Sequence, residues 1–220
     1  MRTAIFDLDG TLVDTSRDLI AAANACFRAM GTGEMLDPVA DASTAFRGGR
    51  AMLRLGLARA GREAAEAEVD AWYPRLLSAY AEGIDRESRL YPGAMEAVAA
   101  LSAEGWRVGI CTNKPAALAE LLLSRLGVRA AFASLVGADS LPVRKPDPAP
   151  FRAAVRQAGG DPARAFLIGD TVTDRDTARA AGVPVVLVTF GPDGAGVAAL
   201  APDALLDSYD ALPALASRLL

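Results

Sequence analysis

Two aspartates one residue apart, Asp7 and Asp9, close the apolar run in "AIFDLDGTLV" (4–13). Carboxylates that close repel each other, and beside a hydrophobic core they are costly unless something positive compensates them. A cation or a phosphate-binding pocket supplies a reason for the pair that folding alone does not. Further along, Thr112-Asn113 end a second apolar run, and Gly169-Asp170 end a third, with Asp174 four residues later. Between these, "VRKPDPAPF" (143–151) offers Lys145. Carboxylates, a hydroxyl and a lysine together match the needs of phosphoryl transfer: a nucleophile, cations to neutralise charge, and donors for phosphate oxygens. A carboxylate can be that nucleophile, passing through an aspartyl-phosphate. Several aspartates at one site call for a hard cation with oxygen ligands, and Mg2+ suits a site that also holds phosphate. Lys145 would offset the remaining negative charge.

Such residues need elements that bring them to one place. The runs 3–8, 106–112, 134–138, 165–170 and 184–190 read as buried strands, alternating with Ala/Leu-rich helical patterns at roughly 93–104, 115–127, 148–159 and 174–182. That alternation predicts an α/β fold with a parallel sheet covered on both faces. In such a sheet ligands bind outside the carboxyl ends of the strands, where the aspartates and Thr112 fall. Pro146 biases Lys145 away from helical geometry, while Asp147 and Pro148 suit the cap and first residue of a helix. The segment 15–85 breaks the rhythm, with three or four helical stretches and no strand. It reads as a helical lobe inserted after the first strand, leaving 1–14 and 86–220 as the core.

Composition narrows the chemistry further. The chain has 220 residues, 52% of them hydrophobic, which is ample for a core. Its net charge of −4 argues against non-specific binding to nucleic acid or an anionic membrane. The two cysteines, Cys26 and Cys111, fit a reducing cytoplasm better than a disulfide framework. Acidic Asp7 and Asp9 interrupt the N-terminus before a signal-peptide core can form, and no run is long enough for a membrane helix. Histidine is absent, which excludes every mechanism that needs a histidine base, nucleophile or zinc ligand.

"DLDGTLVD" (7–14), "CTNK" (111–114), "KPDP" (145–148) and "GDTVTD" (169–174) resemble, in order and spacing, the four motifs of the haloacid dehalogenase-like hydrolase superfamily. The resemblance spans nearly the whole chain. It implies a Rossmann-like parallel-sheet core, makes the helical insert similar to that superfamily's small cap domain, and implies a role at each matching position. Asp7 resembles the nucleophile, and Asp9 the general acid that later activates water. Thr112, with Asn113 beside it, resembles the phosphate-binding position, and Lys145 the lysine that steadies nucleophile and phosphate. Asp170 resembles the Mg2+ ligand, alongside the Asp7 carboxylate and the Asp9 backbone carbonyl. Asp174 falls at the supporting acidic position. Branches of the superfamily that cleave carbon–halogen bonds lack an aspartate two residues after the nucleophile, whereas a leaving alkoxide needs a proton. Asp9 therefore points to phosphate esters.

Taken singly, the residues have plainer readings. Thr112 and Asn113 suit a helix cap, Asp174 a first-turn acid favoured by the dipole, and Lys145 a solvated lysine. A calcium loop fits poorly, because the EF-hand needs its glycine sixth and here Gly10 comes fourth. The whole pattern most resembles phosphoglycolate phosphatases, acting on a small phosphorylated metabolite. A sugar-phosphate mutase resembling β-phosphoglucomutase and a catalytically silent phospho-ligand sensor are the alternatives. In "TAFRGGRAM" (44–52), Arg47 and Arg50 are the candidates to meet a second anionic group on a substrate.

Overall fold

The computed structural model describes residues 1–63 and 65–220. In chain order these form β1 (Thr3–Phe6), β2 (Val13–Asp14), α1 (Ser16–Ala29), α2 (Ala42–Phe46), α3 (Gly49–Arg59), α4 (Glu66–Glu82) and β3 (Arg89–Leu90). There follow α5 (Ala94–Ala103), β4 (Arg107–Cys111), α6 (Ala116–Arg125), β5 (Ser134–Val136), α7 (Pro148–Gln157), β6 (Ala165–Gly169), α8 (Val172–Ala181), β7 (Val185–Val188), β8 (Ala204–Leu206) and α9 (Leu212–Leu219). The chain divides into two compact units, 1–13 with 90–220, and 14–89.

The first unit is a six-stranded sheet in the order β5-β4-β1-β6-β7-β8, with every pairing parallel. Burial on both faces explains why its central strands are uninterrupted apolar runs. Ile5, Leu167, Val185 and Leu187 point to one face, where Phe151, Ala154 and Val155 of α7 and Ala178 of α8 cover them. The opposite face carries Phe6 and Phe166, which meet Tyr209 and Trp106 respectively. The chain runs from β1 outward through β4 and β5, then returns to β6 on the other side of β1 and runs outward through β7 and β8. The crossovers thus diverge between β1 and β6. A sheet of this kind leaves a crevice at that point, which is where ligands bind.

The second unit is helical. Phe27, Met52, Leu53, Leu57, Val69, Leu76 and Tyr80 are fully or almost fully buried within it. Gly56 lets α1 and α3 approach, since a Cβ there would lie 2.0 Å from Phe27 Cζ. The Arg59 guanidinium donates to both carboxylate oxygens of Asp41, at 2.5 and 2.7 Å. Buried Asp18 accepts from the backbone N–H groups of Glu87 and Ser88 and from the Ser88 hydroxyl, fixing the segment by which the chain leaves this unit.

Sequence and structure differ mainly at the edges. Helix α8 begins at Val172, before the expected 174, because Thr171 and Asp174 form its first turn. The sixth strand, β8, is three residues long at the sheet margin, with Leu205 exposed, too short and too little buried to stand out as an apolar run. No helix among the described residues is long and apolar enough to cross a membrane.

Candidate active site

Asp7 follows β1 directly, its backbone N–H donating to the Ile168 carbonyl of β6 at 2.8 Å, so the sheet ladder aims it at the divergence between β1 and β6. The chain then turns tightly: Leu12 and Val13 N–H both donate to the Leu8 carbonyl, each at 3.0 Å. Gly10 has φ 80°, a left-handed conformation that favours glycine over any residue with a Cβ. The turn is held from the far end of the chain, where the Tyr209 hydroxyl donates to the Thr11 carbonyl at 2.7 Å.

Asp170 follows β6, buried, and its Oδ1 accepts from the Thr11 hydroxyl at 3.0 Å. Asp174, fully buried in the first turn of α8, reaches back so that its Oδ2 accepts from the Asp170 N–H, the Thr171 N–H and the Thr171 hydroxyl. This reciprocal contact is the acidic half of a capping box. Its Oδ1 accepts from Lys145 Nζ at 2.6 Å. Gly169 makes room for it, because a Cβ there would sit 2.3 Å from Asp174 Cγ.

Lys145 is itself buried, on the loop before α7, and its Nζ also lies 3.0 Å from Asp7 Oδ1. Asp147 caps α7, accepting from the Ala149 N–H at 2.8 Å, with Pro148 as the first helical residue. Thr112 is buried at the end of β4, and its hydroxyl oxygen accepts from the Lys114 N–H at 3.1 Å. The Asn113 side chain donates to the Lys145 carbonyl at 3.0 Å, so it ties the loop after β4 to the loop before α7. Asp9 accepts from Lys114 Nζ through both oxygens, at 2.7 and 2.8 Å.

The first unit therefore brings together Asp7, Asp9, Thr112, Asn113, Lys145, Asp170 and Asp174. Arg47 and Arg50 belong to the helical unit. Arg50 pairs with Asp70 at 2.5 Å and lies over the Tyr73 ring at 4.8 Å, whereas Arg47 is exposed at the end of α2. Four supporting residues were not singled out by sequence reasoning: Thr11, Lys114, Thr171 and Tyr209. A lysine directly after Thr112-Asn113 and a threonine after each of Gly10 and Asp170 are visible signals for three of them. Tyr209 has none, because its partner lies at the other end of the chain.

Burial dominates the electrostatics. It pushes Asp7 up to about 6; Lys145 pulls against that shift, and the charges of Asp174 and Asp9 add to it. Burial, then the charges of Asp174 and Asp7, holds Asp170 well above the usual carboxylate range. Burial opposes the Lys145 ammonium, yet Asp174 and Asp7 together keep its pKa above that of an ordinary lysine. Cys111, packed in the sheet core, is pushed up to about 12 by burial and is a core residue.

Asp7, Asp170 and Asp174 offer carboxylate oxygens within 4.8 Å of one another. The three are not equivalent. Both oxygens of Asp174 are taken by the lysine and by the first turn of α8. Asp7 Oδ1 is buried and accepts no hydrogen bond, its approach to Lys145 being an ion pair alone. A buried anionic oxygen without a hydrogen bond, beside a second carboxylate raised by burial and by like charge, fits a hard divalent cation.

The chain matches known proteins over most of its length. A haloacid dehalogenase-like hydrolase family model covers residues 1–182. The chain belongs to that family. It is 39% identical over 219 residues to the phosphoglycolate phosphatase of Mesorhizobium japonicum, covering 98% of this chain and 95% of that protein. It is 40% identical over 220 residues to the phosphoglycolate phosphatase of Agrobacterium fabrum, covering 98% and 93%. Among solved structures, a predicted phosphoglycolate phosphatase from Haemophilus somnus 129PT superimposes with a TM-score of 0.86 at 28% identity, covering 98% and 97% of the two chains. This haloacid dehalogenase-like hydrolase is accordingly a phosphatase.

Proposed function

We propose that the chain hydrolyses a small anionic phosphomonoester, phosphoglycolate first, through an aspartyl-phosphate on Asp7 and with Mg2+. The observation that carries the reading is Asp7 Oδ1: a buried carboxylate oxygen at the sheet's divergence point, free of hydrogen bonds and steadied by Lys145. Lys145 holds Oδ1 in place, which leaves the other carboxylate oxygen, Oδ2, to act as the nucleophile. It attacks phosphorus while the ester P–O bond breaks, and Asp9 gives its proton to the departing alkoxide. Water then attacks phosphorus and gives a proton to the Asp9 carboxylate. The P–O bond to Asp7 breaks, which restores both aspartates and releases phosphate. Thr112 and Lys145 serve the phosphate oxygens. Asp7, Asp170 and the Asp9 carbonyl would hold Mg2+, which neutralises the charge gathered on the transferring group.

The named relatives support phosphoglycolate as the substrate. Phosphate release measured across a panel of phosphomonoesters, with Mg2+ and with chelator, tests the proposal. Release with Mg2+, its loss on chelation and its loss in Asp7→Asn are expected. Asp7→Asn retaining a tenth of the turnover would overturn the nucleophile assignment, and full turnover without metal would overturn the cation. Isomerisation without sustained phosphate release would identify a mutase.

A further inference from the structure

Lys114 is a second buried lysine at the site, and its side chain serves a different aspartate from Lys145. Its Nζ donates to both oxygens of Asp9, at 2.7 and 2.8 Å, while Lys145 serves Asp7 and Asp174. The backbone that carries Lys114 is pinned on two sides. Its N–H donates to the Thr112 hydroxyl oxygen, and its carbonyl accepts from the Ala138 N–H at 3.0 Å. The loop after β5 closes against it, since a Cβ at Gly137 would lie 2.8 Å from that carbonyl and 2.5 Å from the Ala116 nitrogen. A fixed backbone with a buried ammonium at its tip sets one place for the Asp9 carboxylate, which would otherwise turn away from Asp7 by like-charge repulsion.

We infer that Lys114 is a positioning residue for the second half of the reaction: it holds the Asp9 carboxylate where that group takes the proton of the attacking water. The inference rests on the proposed role of Asp9. In that step the water oxygen bonds to phosphorus, the bond from phosphorus to Asp7 breaks with its electron pair returning to Asp7, and the proton goes to Asp9. Both Asp9 oxygens already carry hydrogen bonds from one cation, so the carboxylate meets the water in a preset orientation. Preset orientation is worth large rate factors because the freedom is lost before the reaction begins.

The test uses p-nitrophenyl phosphate, whose leaving group departs without a proton, so that attack on Asp7-bound phosphate becomes the step exposed to Asp9. In Lys114→Met, kcat should fall at least tenfold and KM by a similar factor, leaving kcat/KM within about twofold. A pre-steady-state burst approaching one nitrophenolate per active site should appear. In Asp9→Asn/Lys114→Met, the lysine change should add nothing to the loss from Asp9→Asn alone. That pair of variants also covers a poorly folding single variant, because removing both charges spares the protein a buried, unpaired one. An unchanged kcat, a kcat loss with unchanged KM and no burst, or equal costs of Lys114→Met with and without Asp9 would overturn the inference. If Asp9→Asn itself shows no burst, the role proposed for Asp9 fails; if it does and Lys114→Met does not, only the role of Lys114 fails.

Discussion

Asp7 and Asp9 stand two residues apart, and the structure gives each its own lysine. The sequence shows the carboxylates at a glance, because two acids closing a buried strand have no ordinary folding rationale. It does not show which lysine serves which acid, since that depends on loops after β4 and before α7 meeting in space. The uneven compensation has a measurable consequence. Asp7 ionises at about 6 in the fold against 3.8 ordinarily, so between those values the folded protein binds more protons than the unfolded chain. The metal-free protein therefore loses stability as pH rises through this window, and the loss persists above it. The gap from 3.8 to about 6 corresponds to roughly 3 kcal/mol. Asn cannot ionise, so Asp7→Asn should raise the Tm of chelator-treated protein at pH 7.5 by roughly 6–12 °C. The gain should shrink as pH approaches 4. Thermal melts of both proteins across pH check this, and an Asp7→Asn variant that melts lower at pH 7.5 would show the Lys145 attraction outweighing burial.

At the scale of elements, what was legible follows from burial. The five strands anticipated from apolar runs are β1, β4, β5, β6 and β7, each covered on both faces, so nothing polar interrupts them. What escaped, β8 with the paired two-residue strands β2 and β3, is too short to carry a period, and Leu205 on β8 faces solvent. The same logic separates the site residues. Asp170 is legible as the acid ending β6 and Asp174 by its place four residues later, but the sequence does not show that the first turn of α8 folds back onto Gly169. There a side chain cannot be accommodated: a Cβ would meet Asp174 Cγ at 2.3 Å, and Asp174 cannot retreat without releasing Lys145. Gly169→Ala should therefore cost about 1–3 kcal/mol of stability, the usual range for overpacking. Turnover should fall as well, through the displaced Asp174 and the lysine it holds. A drop in Tm with unchanged kcat would mean that the first turn of α8 shifts as a body and carries the ion pair with it.

Taken as a whole molecule, the chain places every group proposed for the phosphoryl transfer, from Asp7 to Asp174, in the sheet-containing unit. In the proposed roles those groups would meet only a phosphoryl group and the water that removes it, and they would treat most phosphomonoesters alike. Selectivity for one ester has to come from a group that meets the rest of the substrate. The sequence offered two arginines for that task. In the structure Arg50 is already engaged by Asp70 and by the Tyr73 ring, while Arg47 makes no ion pair among the described residues. Of the two arginines, we therefore propose Arg47 as the one to test against a second negative charge, such as the carboxylate of phosphoglycolate. A hydrogen bond between charged partners contributes about 1.5–3 kcal/mol, which corresponds to a roughly ten- to hundredfold rate effect. Arg47→Ala should lower kcat/KM for phosphoglycolate by that factor and leave p-nitrophenyl phosphate, which has no carboxylate, nearly unchanged. Arg50→Ala should instead lower Tm modestly by freeing Asp70 and uncovering Tyr73. Equal losses on both substrates in Arg47→Ala, or a wild-type preference for neutral hexose phosphates, would remove Arg47 from substrate recognition while leaving the carboxylate–lysine site intact.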